Sequence, residues 1–190
     1  ATGPGGTTSD AAAPAEAADG VTTTTTIPAI AVTTAAVTTA AVTTAAASRS
    51  ADSVAATRLE QVEAIADTSG FDWRTAGVTI HIGYNPDSCC HWGIYDYRDN
   101  SLWIGPTAFD SASRLRYVVL HELGHAWQWA SGQRGQLAAD MAPWGYSGSD
   151  ALEYSADCIA TLWGARTDHY WSCPATAQAV LSRRLAGDWS

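Results

Sequence analysis

Every aromatic residue of this 190-residue chain lies at or after Phe71. That one asymmetry restricts what the chain can fold into. Residues 1–49 hold 16 Ala and 14 Thr, no aromatic residue and only six Val or Ile. Such a segment buries too little apolar surface to offset its ordering entropy. It is expected to be a disordered, low-complexity tail or linker, and the unit AVTTA runs three times over from Ala31 to Ala45. Residues 50–190 carry all nine Trp, seven Tyr and two Phe, enough for one compact domain.

The formal net charge is −9, and all ten basic residues are Arg. With no basic stripe, nucleic acid is excluded as an expected partner. No stretch approaches the roughly 20 apolar residues needed to span a bilayer. The chain opens at Ala1 without a charged-then-apolar leader, which reads as a processed or an artificially trimmed chain. Four Cys occur, at 89, 90, 158 and 173, and none is in a CxxC spacing. An even count fits disulfides in an oxidising compartment, so the expected location is secreted. Cys158 with Cys173 is the natural pair. Cys89 and Cys90 are adjacent, and their pairing, with each other or elsewhere, stays open.

Periodicity outlines an α+β domain with a short antiparallel or mixed sheet. Val54, Leu59, Val62 and Ile65 recur at helical spacing, with Ser50 or Ser53 to cap and Gly70 to stop. Val78 to Tyr84 alternates as a half-buried strand. Ile94–Tyr97 and Leu102–Ile104 flank a polar turn and read as a hairpin. A helix capped by Asp110, Ser111 or Ser113 should run to about Ser131. Residues 132–148 hold four Gly and one Pro and read as a loop. Further helices are expected from Ser149 or Asp150 to Trp163 and from Ala175 to Leu185.

Inside the fourth of these segments lies His121-Glu122-Leu123-Gly124-His125. A helix turns about 100° per residue, so residues four apart share one face. His121 and His125 can therefore bind one metal ion, and Glu122, offset by part of a turn, can reach a water there without being a ligand. A catalytic zinc takes three protein ligands and keeps one position open. After Glu63 the chain has only two Glu, Glu122 and Glu153. Glu153, 28 residues beyond His125, is the expected third ligand. Asp157, one turn further on, is placed to take the outer ring N–H of a ligand histidine, by preference His121. The reverse assignment, Asp157 as ligand and Glu153 as support, stays open.

His-Glu-x-x-His followed by Glu153-x-x-Ala156-Asp157-Cys158 resembles the gluzincin type of zinc peptidase, and it is similar to bacterial neutral zinc metallopeptidases. The resemblance spans roughly residues 75–165 and is specific at the two motifs. It implies a zincin-like fold and a zinc-dependent endopeptidase that takes a peptide or protein substrate. In it Glu122 would take the proton of the attacking water and pass it to the leaving amine. The metzincin extension is absent, since position 131 is Ser where that pattern has a third His.

Several residues are expected around this centre. Tyr146, Tyr154, His169 and Tyr170 are candidate donors to the developing oxyanion, with His169 and Tyr170 preferred. An edge strand near Leu102–Gly105 is expected to pair with substrate. Trp103, Trp127, Trp129 and Trp144 are candidates for lining subsites. His81 and His91 are expected to be bystanders. The protein is expected to be a monomer. The competing readings are a zinc hydrolase acting on cell-wall peptide or another non-protein amide, and a non-catalytic zinc-containing binding protein.

Overall fold

The computed structural model describes residues 52–166 and 172–190, which belong to one compact unit. The expected tail over residues 1–49, and Ser50, lie outside the described residues. The order is helix, three strands, then four helices, with a three-stranded mixed sheet.

Helix α1 covers residues 52–66. Val62 and Ala66 are fully buried, while Val54, expected on the same stripe, is exposed. Strands β1 (Thr79–Ile82), β2 (Gly93–Asp96) and β3 (Ser101–Ile104) follow. β3 is central: it pairs parallel with β1 and antiparallel with β2. Hence Leu102 and Ile104 are buried completely. The tight β2–β3 turn ends on Asn100, whose φ of 58° suits a residue tolerant of the left-handed region. Its side chain is anchored, donating to Ala76 O at 2.8 Å and accepting from the Tyr95 hydroxyl at 2.7 Å.

Helix α2 (Ala112–Ser131) begins after Ser111, whose hydroxyl accepts from Arg114 N–H, and ends at Gly132 with φ of 68°. Both ends follow ordinary capping chemistry. The expected loop over 132–148 is instead largely helical: α3 (Arg134–Met141) runs into a short 3₁₀ turn (Ala142–Trp144). Its glycines sit at or outside the ends, at 132, 145 and 148, apart from Gly135. Leu137 and Met141, one turn apart, are both buried and hold α3 to the body. Helices α4 (Gly148–Leu162) and α5 (Ala175–Leu185) complete the domain.

Two apolar clusters form. One joins α1, the sheet and the inner face of α2; the other joins α3, α4 and α5. Within the second, Arg184 on α5 clasps Asp140 on α3 through bonds of 2.7 and 3.1 Å. α2 and α4 lie against each other where the clusters meet. They approach closely because Gly124 faces Ala156: a Cβ on Gly124 would stand 3.2 Å from Ala156 Cα.

All four cysteines are paired. Cys158 bridges to Cys173, tying buried α4 to the segment before α5, and Cys89 bridges to its neighbour Cys90. Among the described residues no helix is long and apolar enough to cross a membrane.

Candidate metal centre

The crossing of α2 and α4 brings His121, His125 and Glu153 together, each offering one donor atom within 4.8 Å of the others. Spacing on α2 supplies the two imidazoles, and α4 delivers the carboxylate. His121 Nε2 and His125 Nε2 are 3.2 Å apart. Glu153 Oε2 is 3.3 Å from His121 Nε2, and Oε1 is 3.3 Å from His125 Nε2. Three lone-pair donors this close repel one another unless a cation lies among them. This group can hold a metal ion.

The outer ring nitrogens are both engaged. His121 Nδ1 lies 2.7 Å from Asp157 Oδ1, which also accepts from the Tyr117 hydroxyl at 2.5 Å. Asp157 Oδ2 is buried and has no hydrogen-bond partner among the described residues. Glu153 has half of its side chain exposed, whereas only 2 % of Asp157 is. Asp157 is thus behind His121, and Glu153 is the carboxylate beside the two Nε2 atoms.

His125 Nδ1 lies 3.0 Å from Gln128 Oε1. Gln128 is buried, and its amide donates to Leu152 O and Ser155 Oγ, both at 2.8 Å and both on α4. Each imidazole is therefore oriented by a group that also bonds across the helix crossing. Such partners fix the tautomer and ring angle of a ligand histidine. A sequence signal for Gln128 exists in retrospect: it is the one polar residue in Ala126-Trp127-Gln128-Trp129-Ala130, three positions after His125.

Charges in the triad respond to one another. Burial alone would lower the His121 pKa, but its bonds to Asp157 and Glu153 outweigh that and push it up to about 10. The same histidines hold the Glu153 carboxyl well below the usual range. In the absence of a metal, a proton on His121 supplies the positive charge that the three donors require.

Glu122 is buried and lies beneath β2, where its Oε2 accepts from Tyr95 N–H at 2.9 Å. Gly93 makes room for it: a Cβ there would stand 2.5 Å from Val118 Cγ1 and 2.8 Å from Glu122 Cγ. A cleft of about 620 Å³ opens over these groups, with β2 and the end of α2 among its walls.

Other expected residues fall elsewhere. Tyr146 and Tyr154 do not line the cleft; their rings stack at 4.1 Å within the second apolar cluster. His169 and Tyr170 lie outside the described residues. The strand at Leu102–Gly105 is central rather than edge, because the chain returns through β2 on its outer side, so the edge beside the cleft is β2. Of the four tryptophans, Trp129 alone lines the cleft; Trp127 and Trp144 pack in the second cluster, and Trp103 stacks on His81 at 4.3 Å. Trp92 and His91 line it as well, although His91 is not one of the three converging donors. Tyr95, Tyr117, Gly93 and Gln128, none of them singled out by sequence, complete the surroundings. No family model, no curated protein and no solved structure matches this chain.

Proposed function

We propose that this protein is a secreted, zinc-dependent metalloendopeptidase of the gluzincin type with a zincin-like catalytic domain. The observation that carries this reading is the donor triangle. Zinc–nitrogen and zinc–oxygen bonds of about 2.0 to 2.1 Å at tetrahedral angles place ligand atoms about 3.3 to 3.4 Å apart. The two Nε2 atoms are 3.2 Å apart, and each lies 3.3 Å from one of the two Glu153 carboxylate oxygens, Oε2 for His121 and Oε1 for His125. Two imidazoles with one carboxylate suit zinc better than magnesium or calcium, which favour oxygen ligands alone.

A zinc ion held by His121, His125 and Glu153 would supply a polarised carbonyl and a water acidic near neutral pH. The chain's own groups do the rest. Glu122, next to His121 and fixed by Tyr95 N–H, takes the proton from the attacking water and returns it to the leaving amine. Asp157 and Gln128 keep both Nε2 atoms aimed inward. Gly105 N–H bonds to Trp92 O at 2.8 Å, so Trp92 faces β3 in the ladder. By alternation Gly93 and Tyr95 turn their backbone groups away from β3; the Tyr95 N–H on that side is taken by Glu122 Oε2, which leaves the Gly93 groups and the Tyr95 carbonyl facing the cleft. That edge is where an extended peptide would add as a further strand. Secretion is part of the proposal and draws on the two disulfides.

The test is metal analysis of the purified protein beside a peptide-hydrolysis assay of Glu122→Gln. The expected outcome is about one zinc per chain in both proteins and a fall in kcat of about 10²- to 10⁴-fold in the variant. Full activity in Glu122→Gln would refute the assigned base. Protein purified gently with less than about 0.1 zinc per chain would refute the metal centre.

A further inference from the structure

Apart from His91, six acidic or basic side chains line the cleft, and five of them, His121, Glu122, His125, Glu153 and Asp157, belong to the network just described. The sixth is Arg134. Among the described residues it makes no hydrogen bond and no ion pair, although the chain carries 19 acidic residues against ten arginines. It lies over Trp129, whose ring centroid is 3.2 Å from the guanidinium carbon. Tyr97 stacks on the same indole at 4.3 Å with an interplanar angle of 6°. A stack that tight leaves no space for a guanidinium on the same face, so Tyr97 and Arg134 take opposite faces of Trp129.

This stack does two things. It fixes the plane of a cation whose five N–H donors remain unused, and so removes most of the ordering cost that a free arginine would incur on binding. It also sets the cation's place. Trp129 follows His125 by one turn of α2, about 6 Å along the axis. Arg134 opens α3, which is held rigidly by buried Leu137 and Met141. An extended peptide advances about 3.3 Å per residue. Where a peptide runs along α2, a group two residues from the bond over the metal centre comes level with Trp129, on whose ring Arg134 lies.

We infer that Arg134, presented on the Tyr97–Trp129 stack, is a specificity-determining residue that binds a substrate carboxylate within two residues of the scissile bond. The ligand class is an acidic peptide. A guanidinium fork matches a carboxylate through two parallel hydrogen bonds, and none of the described residues occupies that fork. This inference rests on the peptidase reading of the neighbouring centre, so its test includes a measurement that needs no turnover.

The kinetic arm compares peptides blocked at both ends and identical but for Glu or Gln at each of the two positions on either side of the cleaved bond. A further peptide carries Gln and a free C-terminal carboxylate, which separates a side-chain acid from a chain-end acid. Wild-type protein should prefer one of the carboxylate peptides by about 10- to 100-fold in kcat/KM, the range of a charge-assisted hydrogen-bond pair. Arg134→Met should erase the ratio, and Arg134→Lys should restore part of it by keeping the charge without the fork. The binding arm uses metal-loaded Glu122→Gln and follows the Arg134 Nε–H and Trp129 indole N–H signals by NMR. The preferred Glu peptide should move both, and its Gln counterpart should not. Movement of both signals without any hydrolysis by the wild type would uphold the carboxylate site and refute the peptidase reading alone. Equal Glu-to-Gln ratios in wild type and Arg134→Met, or signals unmoved by the Glu peptide, would overturn the inference.

Discussion

The two walls of the cleft are built in different ways. On one side, α2 and α4 present His121, His125 and Glu153, and each of the two imidazoles is backed by a partner that also bonds across the helix crossing. On the other, β2 presents Gly93, while Tyr97 just after it and Arg134 at the start of α3 stack on Trp129, so the partners are rings and a backbone edge. The first wall is fixed by hydrogen bonds through a buried crossing. The second is fixed by stacking at a solvent-exposed rim, where Tyr97 is 58 % exposed. A metal centre tolerates little displacement, so its wall lies in the core. The second wall, proposed above as the substrate side, lies at the edge. If this contrast is right, changes to the first wall act on metal and stability, and changes to the second act on substrate affinity.

The strongest challenge to the first wall is to release α4. Replacing Cys158 and Cys173 together with Ala removes a link across 15 positions, worth about 3 kcal/mol by the loop-closure model. Urea unfolding should show that loss, whereas replacing Cys89 and Cys90, one position apart, should change stability far less. Next in size, Asp157→Ala and Gln128→Leu should each weaken metal binding by about 10- to 100-fold, since each frees one ligand imidazole. Competition with a chromogenic chelator measures this. Unaltered affinity in both variants would erase the difference between the walls.

The pH dependence follows from His121. With its pKa raised to about 10, His121 is protonated at pH 7 in the metal-free protein, and a bound metal must displace that proton. Between pH 7 and 9 the apparent metal affinity should rise by about tenfold per unit, one proton being released per ion. The sign for folding is opposite. A raised histidine pKa stabilises the metal-free fold fully below about pH 6.5, the unfolded value, and that contribution is lost as pH climbs through about 10. The smallest expected effect is on the second wall. Tyr97→Ala removes one face of the indole stack, worth about 0.5 to 1.5 kcal/mol, and should raise KM about two- to tenfold with kcat and metal content unchanged.

The walls also differ in how much of them the sequence reveals. His121 and His125 are visible as a pair because helical geometry is local and four residues fix it. Glu153 and Asp157 are visible because Glu is scarce and the two share one face of a helix. Gln128, Tyr117 and Gly93 are not, since each acquires its place from an element 24 or more positions away. The aromatic candidates fared unevenly for the same reason: Trp127 and Trp129 are neighbours in sequence, yet only Trp129 points to the cleft. α3 was hidden by flanking glycines that punctuate its ends while Leu137 and Met141 anchor its interior. The small mixed sheet was legible as strands, but its order, with β3 in the middle, depends on a parallel pairing that alternation cannot disclose.

The contact between Gly124 and Ala156 has a consequence for ion choice. The gap between the two helices is set there by a hydrogen atom, and the donors hang from those same helices. Their separation is therefore a gauge: the backbone, rather than the chemistry of the ligands alone, measures the radius of whatever ion enters. A methyl group at position 124 would wedge the helices apart by a few tenths of an ångström. Glu153 on α4 would then stand further from the two imidazoles of α2, whose own spacing would be unchanged.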